Sequence, residues 1–187
     1  MHSLLLFILC LVGFTSALSA QLTIDPKVNV GSAITGGVNV AVEFPLQENM
    51  GLSAGFAYSA NPFGLDINDD DGNEIKFRNV RFIPEYRYYF SPREGLDRFY
   101  VGLYGKFGQL TIKEEDGDEL DATRIAAGLL VGHKWVSRGG FIFELNGGFG
   151  RGGTVGKGGD DDREFEEAYG VLSRYDLRLG LIVGYRF

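Results

Sequence analysis

Between positions 175 and 187 the chain alternates residue by residue. The odd positions read Tyr175, Leu177, Leu179, Leu181, Val183, Tyr185 and Phe187, and the even ones Asp176, Arg178, Gly180, Ile182, Gly184 and Arg186. A period of two predicts a β-strand with one apolar and one polar face. Thirteen residues is about twice the common strand length of ~5–6 in soluble proteins and covers the ~9–11 that a tilted membrane strand needs. Tyr175 stands at one end of the apolar face, and Tyr185 and Phe187 at the other. Those are the places where a membrane barrel carries its aromatic girdles.

Seven further segments alternate upstream, over 28–34, 38–44, 52–58, 80–90, 99–107, 125–135 and 141–149. Val38, Val40, Val42 and Phe44 stand opposite Asn39, Ala41 and Glu43; Leu52, Phe56 and Tyr58 stand opposite Ser53, Gly55 and Ala57. Phe99, Val101, Leu103 and Phe107 likewise face away from Tyr100, Gly102, Tyr104 and Lys106. Compact turns at 47–49, 91–95 and 137–140 join the second to the third segment, the fourth to the fifth and the sixth to the seventh. Longer polar stretches around 60–76, 113–122 and 155–170 make the other connections, apart from a tight first one near Thr35 and Gly36. Eight alternating segments with short turns on one rim and long loops on the other predict an all-β fold. The expected architecture is an eight-stranded antiparallel up-and-down transmembrane β-barrel.

A soluble lipocalin-like barrel also alternates, but it points its apolar set inward around a ligand. Here the polar set is rich in glycine and poor in surface charge, while the opposite set is uniformly bulky. Small residues around a narrow lumen and large ones against lipid fit the membrane arrangement better.

The N-terminus carries a different signal. Residues 4–14 form an apolar run of eleven, followed by small residues up to Ala20 and then Gln21. That is the length of a signal-peptide core and too short for a membrane-spanning helix. The expected organisation is a signal peptide over 1–20 and a barrel domain over 21–187. The single Cys10 falls within the apolar run, so the mature chain would have no cysteine.

Composition agrees with strands and turns: 28 glycines, 15 phenylalanines and 9 tyrosines accompany only 5 prolines. A net charge of −7 argues against nucleic acid as a partner, since such binders show a basic face. The mean hydropathy of −0.03 resembles that of a soluble protein, but alternating faces in a membrane barrel cancel to the same value.

The terminal stretch LGLIVGYRF, the strand end YRYYF at 86–90 and FYVG at 99–102 resemble the small eight-stranded outer-membrane barrels of Gram-negative bacteria, of the OmpA-barrel and OmpX kind. The chain looks most like a group of uncharacterised short barrels of that type, over the whole of 21–187. The resemblance implies location in the cell outer membrane, with lipid as the surrounding phase. It also implies that Tyr185 and the terminal Phe187 act as the signal read by the barrel-insertion machinery. Such barrels serve as anchors, adhesins, enzymes or structural proteins, so the architecture alone does not select a role.

Candidate chemistry is sparse. His2 lies in the signal segment, and His133 faces outward two residues before Trp135, beside Lys134 rather than a serine. A nucleophile activated by histidine needs both groups within reach, and no catalytic residue is assigned. The stretch GFGRGG at 148–153 matches a phosphate-loop pattern but leads into Asp160, Asp161 and Asp162 instead of a helix. The long connections hold Asp66, Asp69, Asp70, Asp71 and Glu74, then Glu114, Glu115, Asp116, Asp118, Glu119 and Asp121, then Asp160, Asp161, Asp162, Glu164, Glu166 and Glu167. This rim is expected to face the medium, to offer a surface partner a docking area, and to hold divalent cations weakly at most. No cofactor or metal site is expected.

The inward parity is where charge collects. Arg81, Arg87, Lys106, Arg124, Lys134, Arg174, Arg178 and Arg186 share it with Glu43, Glu85, Glu144 and Asp176. An eight-stranded barrel is just wide enough for its own side chains, so these groups should pair and plug the lumen. The expected role is structural or surface-interactive and non-enzymatic. Two readings stay open beside it: a narrow, porin-like channel for small solutes, and a soluble exported barrel binding an apolar ligand.

Overall fold

The computed structural model describes residues 23–34, 36–60, 67–68, 74–113, 119–155 and 174–187. Its elements are β1 (Asp25–Asn29), α1 (Gly31–Ile34), β2 (Gly37–Gln47), β3 (Met50–Ala60), β4 (Ile67–Asn68), β5 (Glu74–Tyr89), β6 (Arg98–Lys113), β7 (Glu119–Val136), β8 (Phe141–Val155) and β9 (Tyr175–Tyr185). All strand pairings are antiparallel. β1 pairs with both β2 and β9, and β3 pairs with β5, so eight strands close into a ring. The two-residue β4 adds only a short ladder to the start of β5. Closure removes the unpaired edges that an open sheet would expose.

Among the described side chains, the strands of the ring sort by parity. Along β3, Gly51, Ser53, Gly55 and Ala57 are buried, while Leu52, Ala54, Phe56 and Tyr58 are exposed. The outer wall is apolar and largely accessible in places: Leu177 is 73% exposed, Leu179 76% and Leu129 65%. Charged groups lie on the inside, where Glu43, Glu85, Arg87, Lys134 and Glu144 are buried. Charge thus collects inside the ring and bulky apolar side chains outside it, and charged residues are almost never fully buried unless paired.

The compact connections are those expected. Glu48 and Asn49 join β2 to β3, residues 90–97 join β5 to β6, and residues 137–140 join β7 to β8. Gly140 has φ of 86°, and a Cβ there would lie 2.8 Å from the Arg186 carbonyl oxygen. Only glycine fits that turn without strain.

The first strand differs from the sequence expectation. The segment expected at 28–34 is strand only to Asn29; residues 31–34 turn into α1. The Asn29 carboxamide oxygen accepts bonds from the Gly31 and Leu181 amides, at 3.0 and 3.2 Å, and Ser32 Oγ donates to the Asn29 carbonyl at 2.6 Å. Such local side-chain bonds offer the backbone an alternative to the ladder. In the other direction, β5 to β8 run several residues beyond their alternating apolar cores, into stretches rich in charge, threonine and glycine. Pairing with a neighbouring strand holds these extensions even where the hydrophobic pattern has ended.

Candidate functional site

Near the rim of compact turns, inward parity brings four cations and four carboxylates together. Asp25 and Lys27 come from β1, Glu43 from β2, Glu85 and Arg87 from β5, Lys134 from β7 and Glu144 from β8; Arg186 follows β9. Lys27 Nζ reaches Glu43 at 2.8 Å and Glu144 at 3.1 Å. Lys134 Nζ donates to Asp25 at 2.5 Å and to Glu43 at 2.7 Å. The Arg87 guanidinium donates twice to Glu85, at 2.5 and 2.8 Å, and once to Glu144 at 3.1 Å. Arg186 grips Asp25 with Nε and Nη2, at 2.8 and 2.7 Å.

Neutral groups complete the shell. The Tyr89 hydroxyl donates to Glu43 at 2.6 Å, and the Tyr100 hydroxyl to Glu144 at 2.6 Å. Asn146 Nδ2 donates to Glu144 at 2.8 Å. The guanidinium of Arg87 lies 4.7 Å from the Tyr100 ring centroid, within cation–π range. Each buried carboxylate thus has several charge-assisted donors, the condition under which buried charges are tolerated. Beyond the strands, burial works against the charge of Arg186, yet the bonds and charge of Asp25 hold its guanidinium above its ordinary value.

Glycines make room for the aromatic part of this plug. Tyr100 pairs in register with Gly132, where a Cβ would fall 2.6 Å from its ring. Tyr104 pairs with Gly128, and a Cβ there would lie 2.8 Å from the ring. The glycine-rich inward set is therefore a groove shaped around inward tyrosines. Tyr89, Leu96, Tyr100, Tyr104 and Leu130 pack as one buried cluster.

Toward the opposite rim a second level begins. Asp176 accepts a bond from the Tyr104 hydroxyl at 2.7 Å and one from Lys106 Nζ at 2.9 Å. Arg178 ion-pairs with Glu85, which links the two levels. Arg81 donates to Ser59 Oγ at 3.3 Å, and Arg124 to the Tyr175 carbonyl at 3.0 Å.

Of the residues singled out in the sequence, Glu43, Glu85, Arg87, Lys134, Glu144 and Arg186 meet in the first level. Arg81, Lys106, Arg124, Asp176 and Arg178 lie in the second. Arg174 precedes β9 and is exposed. Asp25 and Lys27 precede the segment expected at 28–34, and the alternation of Asp25, Lys27 and Asn29 is the signal in the sequence that points to them. The tyrosine hydroxyls were also missed, since aromatic residues on an inward face read as packing. Tyr185 and Phe187 make an edge-to-face pair at 5.0 Å on the exposed wall. His133 lies against Trp135, with ring centroids 4.1 Å apart. The GFGRGG stretch is part of the strand β8.

Residues 1–20, expected to be a signal peptide, and most of the acidic loop residues lie outside the described residues, while Glu74, Glu119 and Asp121 stand in β5 and β7. Among the described residues no group of three or more His, Cys, Asp and Glu side chains is disposed to hold a metal ion.

Fold and interior together define a small closed eight-stranded antiparallel β-barrel, plugged by its own charges and apolar on its outside. The chain belongs to DUF3575, a family of proteins of unknown function, whose model matches residues 4–154. No curated protein matches it.

Proposed function

We propose that the protein is an integral outer-membrane β-barrel, exported by a signal peptide at 1–20 and inserted as the domain 21–187. The observation that carries this reading is the inversion of its faces: charges buried inside, leucine, valine and phenylalanine outside. Soluble monomers seldom expose contiguous apolar patches beyond ~300–600 Å², whereas a lipid-facing wall must be apolar all round. β5 to β9 have 11 to 18 residues each, enough for the ~9–11 needed to cross. A soluble barrel with an apolar ligand would need an apolar interior, and here the interior is ionic.

The role is structural or interactive and non-enzymatic, with the acidic loops meeting a partner at the surface. Tyr185 and Phe187, outward at the end of the last strand, are the contact for the insertion machinery. The test is envelope fractionation followed by carbonate extraction and gel mobility with and without heating. The protein should stay with the outer membrane, resist carbonate and shift on heating. Release by carbonate without detergent would overturn the reading.

A further inference from the structure

The connection between β5 and β6 is longer than a turn requires. Hairpin loops commonly take ~2–5 residues, and Glu48 with Asn49 suffice between β2 and β3, whereas residues 90–97 join β5 to β6. The longer connection has two faces. Arg93, Glu94 and Gly95 are exposed, while Leu96 and Asp97 are only 4% and 6% exposed. Leu96 packs with the inward Tyr89, Tyr100, Tyr104 and Leu130. It also reaches Gly51 at the start of β3, where a Cβ would lie 2.8 Å from the Leu96 Cδ1.

The turn is fastened from the far side of the ring. Arg186 follows β9, which is separated from β6 by β7 and β8, and from β5 by β1, β2 and β3. Its guanidinium nevertheless donates to the Glu94 carbonyl and, through Nη2, to the Leu96 carbonyl at 3.0 Å. These groups meet only across the mouth of the barrel. Gly95, between the two carbonyls, has φ of 82°, and a Cβ there would stand 2.9 Å from Arg186 Nη1. Glycine admits both the left-handed backbone and the close approach. The same guanidinium holds Asp25, so one side chain ties the turn to β1, beside the β1–β9 seam.

We infer that residues 90–97 form a lid over the lumen on the side of the compact turns, with Arg186 as its latch. Residues 25, 94–96 and 186 are far apart in the chain, so the latch is complete only when β1 and β9 have paired. Loosening that seam releases the lid and opens the lumen to this side. The device does not depend on what the outer wall faces.

The test reads the reactivity of a thiol beneath the lid, in the full chain purified in detergent. Cys10→Ser removes the one native cysteine, and Ser53→Cys supplies the probe. Ser53 is inward on β3 and 0% exposed, and its hydroxyl has no hydrogen-bond partner among the described residues. A hydrophilic methanethiosulfonate reagent should label it slowly. Arg186→Gln should speed labelling about tenfold or more, because lost charged hydrogen bonds raise the open population by that factor and labelling tracks that population. Leu96→Ser, which keeps the latch but loses the apolar seat, should speed it too. Ala126→Cys, inward on β7 beside a space of about 260 Å³ toward the other rim, should label at a rate that neither substitution changes. Labelling of Ser53→Cys unaffected by both substitutions would overturn the inference. So would a parallel rise at Ala126→Cys, which would mean that the whole barrel had loosened.

Discussion

Among the described interior carboxylates, Glu43 contacts the most cations. Lys27, Arg87, Lys134 and the Tyr89 hydroxyl all contact it. Removing it leaves three buried cations short of a counter-charge, and breaking a buried pair costs roughly 3–5 kcal/mol. Glu43→Ala should therefore lose about that much stability, as measured by denaturant unfolding in lipid vesicles. Glu48→Ala, in the exposed turn between β2 and β3, should stay within ~0.5 kcal/mol of the unaltered chain. Equal losses would mean that the lumen network is not what holds the barrel. Charge was legible in the sequence as inward parity, but pairing was not. Asp176 could be placed on a face with Arg178, yet its partners are Tyr104 and Lys106, both on β6, which closure of the ring brings near β9. Glu85 shared a face with Arg81 and Arg87, and it binds Arg87 and the distant Arg178.

Among the elements, β9 states the outward face most plainly. Leu177, Leu179 and Leu181 follow one another outward between Tyr175 and Tyr185. Leu179→Arg should destabilise the inserted barrel by ~2–4 kcal/mol, the cost of a cationic side chain near the bilayer midplane. Unfolding of this variant in vesicles checks it, and a loss within experimental error would contradict the orientation of β9. The alternation that makes β9 legible is also why β1 was misplaced. In Asp25–Asn29 the outward positions are Pro26 and Val28, too few to stand out, while Val28, Val30 and Ile34 extended the pattern in the wrong direction. Polar bonding by Asn29 and Ser32 ends the strand, and hydrophobic period carries no record of that. The ends of β5 to β8 were short in the sequence reading for a related reason. Ladder pairing such as Gln109↔Thr123 and Gly108↔Arg124 persists where the outward positions are no longer bulky and apolar.

At the scale of the whole molecule, the eight-stranded ring leaves an interior filled by its own side chains. Tyr89, Tyr100, Lys134, Arg87 and Leu130 are all buried to within 1%. Planar bilayers containing the purified monomer should show no stable channel, because desolvated, mutually bonded groups occupy the lumen. Reproducible, size-selective conductance would contradict the plug and favour a narrow pore. The outer wall bears the remaining claim, that it faces lipid. The chain has one tryptophan, Trp135, outward on β7 and 46% exposed. It packs against Phe143 at 5.5 Å, near the rim of compact turns. In vesicles its fluorescence should be blue-shifted and quenched by brominated lipids, more strongly when bromine sits near the headgroups than at mid-chain, as for an interfacial girdle residue. Emission typical of water, untouched by brominated lipid in vesicles carrying the folded barrel, would contradict a lipid-facing wall.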